Sequence, residues 1–322
     1  MAKILTISIA AYNVESYIRE TLNSLVIPEI LDNLEVFVVD DGGSDGTLAI
    51  AQEFQKKYPE TFHAVHKENG GYGSTVNWSI EHATGKYFKL LDGDDWVDKR
   101  GLIELVKNMN LSTAECFVSG AVERNTEGKE RLLYPYLEGV GNQILSSDEL
   151  LSLNVVPVSM WGLSFLTSML KNNYVDLPKH SLYTDQIFVM QGLTRSTHFQ
   201  ISAQSVYVWR LGRDEQSNNK KSIEKHYEDV IKVADIVNTM YMQATEKYSK
   251  DKLSYLLRRA SAYYSYSIAM LCRMNHSINN LKLIKHLEKQ TAMKYPEIYK
   301  NALNARKIQL LRKSFYWLYW IM

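Results

Sequence analysis

The chain has 322 residues, 45% of them apolar, and a formal net charge of +1. That length and apolar content suffice for one large domain with an extension or for two domains, and the balanced charge speaks against a nucleic-acid partner or a long acidic tail. The two cysteines, Cys116 and Cys272, lie too far apart to suggest a disulfide framework and fit a reducing cytoplasm.

Residues Ile4 to Ile9 read as a buried strand. Glu15 to Leu25 reads as a helix with Ile18, Leu22 and Leu25 at helical spacing. "LEVFVVDDGGSDGT" is a second buried strand that breaks at an Asp/Gly turn, where Ser44 or Asp45 is placed to cap a helix over Thr47 to Lys57. "TFHAVH" is a third strand. "GGYGSTVNWSIEHATG" is a Gly-rich turn feeding a helix that a second glycine ends near Gly85. "KYFKLL" is a fourth strand, and it delivers Asp92, Asp94, Asp95 and Asp98 within seven positions. This alternation predicts an α/β fold whose mostly parallel sheet carries helices on both faces. Ligands bind outside the carboxyl ends of the strands in such sheets, so "AAYNVE", "DDGGSDG" and "DGDD" are expected to open on one edge.

After about residue 115 the pattern changes. A hairpin is expected around Asn125 to Gly128, a strand over "VVPVSMWGLSF", a helix start at "YTDQIFVMQGL", and a strand ending in a basic loop over "ISAQSVYVWRLGRDEQS". The expected α/β domain covers 1–217. Residues 218–322 contain one proline, Pro296, and read as several helices. No run of about 18 apolar residues predicts a membrane span, and the amino terminus makes a poor signal peptide.

Four crowded carboxylates repel one another unless a cation or a turn makes use of them. A D-x-D pair on an extended segment points two side chains the same way and suits Mg²⁺ or Mn²⁺ bridging a diphosphate. The alternative is an Asx-rich turn that caps a helix from Lys99. Asp40 and Asp41, at the mouth of the second strand, can accept hydrogen bonds from a uracil imide and from ribose hydroxyls. Tyr12 can lie against a base or be an ordinary half-buried tyrosine. "ENGGYGS" matches neither the dinucleotide fingerprint nor a P-loop, and reads as a tight connection with Asn69 and Asn77 as polar contacts.

The blocks "ISIAAYNVESYI", "VFVVDDGGSDGT", "KENGGYGSTVNWSIEHATGKYFKLLDGDDW" and "YTDQIFVMQGL" together resemble family 2 glycosyltransferases, which have the GT-A (nucleotide-diphospho-sugar transferase) fold. The resemblance spreads over most of residues 4 to 215. It implies a metal-dependent, inverting transferase moving a sugar from a UDP-sugar to a hydroxyl of a saccharide or lipid-linked saccharide, of the bacterial cell-surface polysaccharide type. It places Asp41, with Asp40 beside it, at the uracil, Asp92 near the ribose, Asp94 or Asp95 on the metal, and Asp185 as the catalytic base. The donor site would run along Ala11, Tyr12, Asn69, Gly70, Gly71 and Gly93. Arg210 and Arg213, in the basic loop, would neutralise the leaving diphosphate or form surface ion pairs. Three departures stand out: Ala10 replaces a usual proline, Thr184 replaces a usual Glu before Asp185, and "WGLSF" lacks the lysine that usually follows the tryptophan. A sugar nucleotidyltransferase would need a basic Gly-rich loop after the first strand, and a non-catalytic nucleotide-sugar-binding module would lack Asp185.

The segment "NALNARKIQLLRKSFYWLYWIM" carries Arg306, Lys307, Arg312 and Lys313 and no acid. Leu303, Leu310, Leu311, Phe315, Leu318 and Met322 fall near one helical face. Residues 303–322 therefore suit a peripheral position on the inner face of the cell membrane, against anionic lipid, or packing on the protein's own helices or on a second subunit of a homo-oligomer.

Overall fold

The computed structural model describes residues 2–137, 139–153, 158–172, 174–212, 216–217 and 219–321. Arg213 lies outside the described residues, as do 154–157 of the expected strand "VVPVSMWGLSF" and Met322 of the expected helical face. The chain divides into two compact units, Met1–Gly212 and Arg213–Met322.

The first unit begins with β1 (Leu5–Ala11), α1 (Glu15–Leu25), β2 (Leu34–Asp40), α2 (Thr47–Lys57), β3 (Phe62–His66), α3 (Tyr72–His82) and β4 (Tyr87–Asp92). Then come β5 (Trp96–Val97), α4 (Lys99–Leu111), β6 (Cys116–Arg124), β7 (Glu130–Leu132), β8 (Ile144–Ser146), α5 (Ser147–Ser152), β9 (Leu163–Leu166), α6 (Thr167–Lys171), α7 (Asp185–Arg195) and β10 (His198–Arg210). Among the described residues a ten-stranded sheet runs β3-β2-β1-β4-β9-β6-β10-β5, with β7 on β6 and β8 on β10. The pairs β2–β3, β1–β2, β1–β4 and β6–β10 are parallel, while β9 is antiparallel to both neighbours. The expected mostly parallel α/β sheet is therefore present. All seven residues of β2 are buried, as a strand covered on both faces requires.

Three local expectations change. The helix over Thr47 starts with Gly46 at its N-cap, and Asp45 serves it from one residue earlier by accepting the Thr47 N–H at 3.0 Å. Gly85 does not terminate α3, which ends at His82. It is needed because a Cβ there would sit 2.5 Å from the Thr6 nitrogen. The described part of "VVPVSMWGLSF" is strand only over β9, preceded by a short 3-10 turn, Met160–Gly162.

Lys89 lies in the middle of β4 and is 0% exposed. Its ammonium donates to the Trp161 carbonyl at 2.6 Å and to the Leu163 carbonyl at 3.4 Å. Burial pushes its pKa down to about 7. The unfolded chain keeps this proton to about pH 10, so above pH ~7 the unfolded state binds more protons and this group makes stability rise with pH. Lys89→Met removes that gain. The melting-temperature difference, wild type minus variant, is expected to grow between about pH 6 and 9. A difference independent of pH would show that the amine titrates as an exposed lysine does.

The second unit contains α8 (Lys220–Lys225), α9 (Tyr227–Ala244), α10 (Lys250–Cys272), α11 (Ile278–Lys294), α12 (Pro296–Asn301) and α13 (Arg306–Lys313). The expected face over 303–322 is not one helix. Phe315 and Tyr316 take φ values of 49° and 69°, which break the chain after α13 before a 3-10 turn at Trp317–Trp320. Ile308, Leu311 and Tyr319 are buried. Arg312 grips the buried Glu288 with two bonds, 2.6 and 2.8 Å, and the Tyr264 and Tyr316 hydroxyls donate to the same carboxylate. This part of the segment packs on the unit's own helices. Phe315 and Trp317 remain 86% and 79% exposed. Among the described residues no helix is long and apolar enough to cross a membrane.

Candidate active site

The turns after β1 and β2 are laced together. Asn13 Oδ1 accepts from the Ser44 N–H, Glu15 from the Gly46 N–H, and Asp45 from the Glu15 N–H, all between 2.8 and 2.9 Å. The Asp41 N–H bonds the Ala11 carbonyl at 2.9 Å. Tyr12, beside it, stands 55% exposed.

Asp40 and Asp41 stand at the mouth of β2, and both are buried. Asp40 pairs with His66 Nδ1 at 2.6 Å and accepts from the Gly43 N–H at 3.2 Å. Asp41 organises the Gly-rich turn. One oxygen takes Lys67 Nζ at 2.7 Å and the Gly70 N–H at 3.0 Å, and the other takes the Gly71 N–H at 2.7 Å. Asn69 closes the turn by donating to the Asp41 carbonyl at 2.8 Å. Asn77 turns away from this site and ties α3 to the backbone of Leu177. Gly71, at φ +79°, lies where a Cβ would meet the His180 nitrogen at 2.9 Å. The His180 N–H bonds the Gly70 carbonyl at 2.7 Å, so the turn that Asp41 holds also holds the chain leading to Asp185.

The acidic turn after β4 sorts its four carboxylates. Asp98 caps α4 by accepting from the Gly101 N–H at 2.8 Å, the structural duty foreseen for this turn. Asp95 is 1% exposed and accepts from the Tyr207 hydroxyl at 2.6 Å and the Arg210 N–H at 2.8 Å. Those donors lie beside it because β10 pairs there with β5, Tyr207 opposite Val97 and Val208 opposite Trp96. Gly93 is buried where a Cβ would press on the Ala10 carbonyl at 3.0 Å, which brings the turn close to β1. Asp92 and Asp94 are left half-buried at the opening. Burial, then the charges of Asp94 and Asp185, push the Asp92 carboxyl up to about 8. Burial and the Asp94 and Asp92 charges raise Asp95 as well.

Arg210 is an ion-pair residue. Its guanidinium donates to Glu20 at 2.6 Å and to the Asp94 carbonyl at 2.7 Å, and lies 4.6 Å from the Trp96 ring centre. It fixes the acidic turn from outside.

Asp185 opens α7 and is half-buried, with Oδ2 accepting from Gln186 Nε2 at 2.5 Å. His180 and Tyr183, just before it, take φ values of 49° and 61°, a costly backbone for non-glycine residues. The Tyr72 hydroxyl donates to the Met160 sulfur at 3.2 Å, and burial together with the Asp92 and Asp185 charges raises its pKa well above the usual value. Sequence reasoning missed Tyr72, as it missed Lys67 and Tyr207. Only Tyr72's place at the first turn of a helix after Gly-Gly was available as a signal.

The profile of the family described as glycosyl transferase family 2 matches residues 6–165. The chain belongs to this family. Among relatives of this family 2 glycosyltransferase, the putative glycosyltransferase EpsH of Bacillus subtilis is 34% identical over 121 residues, 38% of this chain and 35% of that protein. The poly(ribitol-phosphate) β-N-acetylglucosaminyltransferase TarS of Staphylococcus aureus is 22% identical over 265 residues, 81% of this chain and 44% of that protein. The chain thus spans less than half the length of these relatives. A crystal structure of TarS residues 1–349 with UDP-GlcNAc superposes with a TM-score of 0.61 at 18% identity, covering 94% of this chain and 92% of that one. The mannosyltransferase PcManGT of Pyrobaculum calidifontis, solved with GDP-Man and Mn²⁺, gives a TM-score of 0.55 at 16% identity, covering 97% of this chain and 88% of that one. The GT-A fold implied by the sequence is thereby borne out.

Proposed function

We propose that this protein transfers a sugar from a UDP-sugar to a hydroxyl of a saccharide or lipid-linked saccharide, with inversion at the anomeric carbon. The observation that carries the reading is the His180 N–H bond to the Gly70 carbonyl at 2.7 Å, which ties the chain leading to Asp185 to the turn that Asp41 holds, with the Asp92 and Asp185 charges both acting on Tyr72. Asp185 takes the proton of the acceptor hydroxyl as that oxygen attacks the anomeric carbon. The bond from that carbon to the diphosphate breaks, and its electrons leave with UDP. Asp41 and Asp40 face the uracil beside Tyr12, and Asp92 lies near the ribose. The likeness to TarS, a poly(ribitol-phosphate) β-N-acetylglucosaminyltransferase, and to the Bacillus subtilis minor teichoic acid biosynthesis protein GgaB supports a bacterial cell-surface glycan as acceptor.

The acidic turn fits a hard divalent cation. Asp92 and Asp94 repel each other at the opening, an arrangement that a cation relieves. Among the described residues no cluster of three or more His, Cys, Asp or Glu could hold a metal alone. Mg²⁺ or Mn²⁺ can be bound through one or two carboxylates plus substrate phosphates. Asp94, with Asp92, would hold it, while Asp95 stays bonded to Tyr207 and Arg210. The cation would supply Lewis-acid stabilisation of the leaving diphosphate. The test of this reading is release of UDP from a UDP-sugar, strengthened by a saccharide acceptor.

Among the described residues of the last segment, Phe315, Trp317, Trp320 and Ile321, with Arg306, Lys307 and Lys313, are exposed and suit anionic lipid. Binding to anionic liposomes is expected at low salt and should weaken as salt rises. Trp317→Ser should weaken it without shifting the melting temperature, because Trp317 is 79% exposed. A full-length protein that ignores such liposomes leaves the segment a purely structural cap.

A further inference from the structure

The α11 helix of the second unit has two unlike sides. Its inner side buries Ile284, Glu288 and Thr291. At 3.6 residues per turn, Ile278, Lys282, Lys285, His286, Lys289 and Met293 fall within about 100° of one another on the other side, and all six are exposed. Glu288 is the one acid in this helix, and it is buried and gripped by Arg312, so it gives the outer lysines no compensation. Among the described residues no ion pair engages Lys282 or Lys289. Lys282, Lys285 and Lys289 stand three and four positions apart, so they repel one another along the helix. A negative surface outside the helix relieves that repulsion.

The basic stripe adjoins the aromatic end of the chain. Lys285 Nζ lies 5.1 Å from the Tyr316 ring centre, and the Tyr316 hydroxyl donates to Glu288 at 3.0 Å. Arg312 is turned inward to Glu288, whereas Arg306, Lys307 and Lys313 stay exposed. From 298 to 321 the sequence holds no acid. Left-handed backbone at Phe315 and Tyr316 leaves Phe315 and Trp317 outside while Tyr319 is buried. The lysines of α11 and the aromatic side chains of the last segment therefore belong to one packed piece.

Deepening the lipid reading of the last segment, and resting on it, we propose that α11 and that segment form one preformed surface for an anionic membrane. Lys282, Lys285 and Lys289 meet the lipid headgroups, and Ile278, Met293, Phe315 and Trp317 enter the interface around them. With Arg306, Lys307 and Lys313 the surface carries six exposed basic residues, enough for electrostatic attachment to an anionic leaflet. A soluble polyanion would pair with the lysines and leave the apolar side chains in water. A bilayer takes both, since lysine stems lie along the interface while their ammonium groups reach the phosphates.

The test is co-sedimentation of the full chain with vesicles containing phosphatidylglycerol, beside pure phosphatidylcholine vesicles and soluble polyphosphate. Binding is expected to the first and little to the second. Lys282→Gln combined with Lys289→Gln removes two charges and should weaken that binding about thirtyfold, because each basic residue near an anionic surface contributes about a factor of five. Lys282→Glu combined with Lys289→Glu should abolish it. Both pairs should leave the melting temperature in place, because the side chains are exposed. Vesicle affinity unchanged by either lysine pair, yet lowered by Trp317→Ser, overturns the role of α11 and leaves the last segment binding lipid alone. Polyphosphate held more tightly than vesicles, and lost in the glutamine pair, assigns the stripe to a soluble polyanion and also overturns it. A chain that ignores every vesicle sinks the lipid reading and this inference together, and leaves sugar transfer from a UDP-sugar untouched.

Discussion

Asp185→Asn should lower sugar transfer by about two to four orders of magnitude, the usual contribution of a general base. Asparagine keeps the size and the start of α7 and removes the ability to take a proton. UDP affinity should hold or rise slightly, because the Asp185 charge is one of the causes that push Asp92 away from ionisation, and that repulsion goes with it. The expected signature is a fall in kcat with UDP binding retained. If UDP affinity collapses while transfer persists, Asp185 belongs to the donor side and the base lies elsewhere.

The second large effect concerns the acidic turn. Excess chelator should abolish transfer, and Mn²⁺ or Mg²⁺ should restore it. Asp94→Asn should cost about a hundredfold or more in turnover, as expected when several kcal/mol of leaving-group stabilisation are lost. The fold should survive, because Asp94 is half-buried at the mouth of β4 and not in the core. Asp95→Asn should behave differently. It replaces a buried acceptor of two hydrogen bonds with an amide that fits only one of them well, so it should lower the melting temperature as well as the rate. Full activity in excess chelator would remove the cation from the account.

Much of the architecture was legible in the sequence because parallel strands buried on both faces read as apolar runs, and β1, β2 and β4 are such runs. The site was legible as three polar turns at strand ends plus Asp185. What could not be read was which carboxylates face inward. Asp92, Asp94, Asp95 and Asp98 look alike in sequence. Their fates are set by β10, more than 100 positions away, which pairs with β5 and places the Tyr207 hydroxyl and the Arg210 N–H on Asp95. Arg210 offered diphosphate contact or an ion pair, and the structure gives the ion pair with Glu20. Tyr72 and Lys89 escaped notice because each acts through a partner from beyond residue 159, Met160 and Trp161 respectively. The last segment misled for another reason. Helical periodicity assumes an unbroken helix, and left-handed backbone at Phe315 and Tyr316 breaks it.

The central claim is that the convergent acids serve transfer from a UDP-sugar. The most direct measurement follows UDP released from a panel of UDP-sugars with Mn²⁺ present, with and without a saccharide acceptor. The account predicts slow release from one or a few UDP-sugars, faster with acceptor, lost in chelator and nearly lost in Asp185→Asn. Release of pyrophosphate from UTP and a sugar phosphate, with no UDP from any UDP-sugar, would contradict it and identify a nucleotidyltransferase instead.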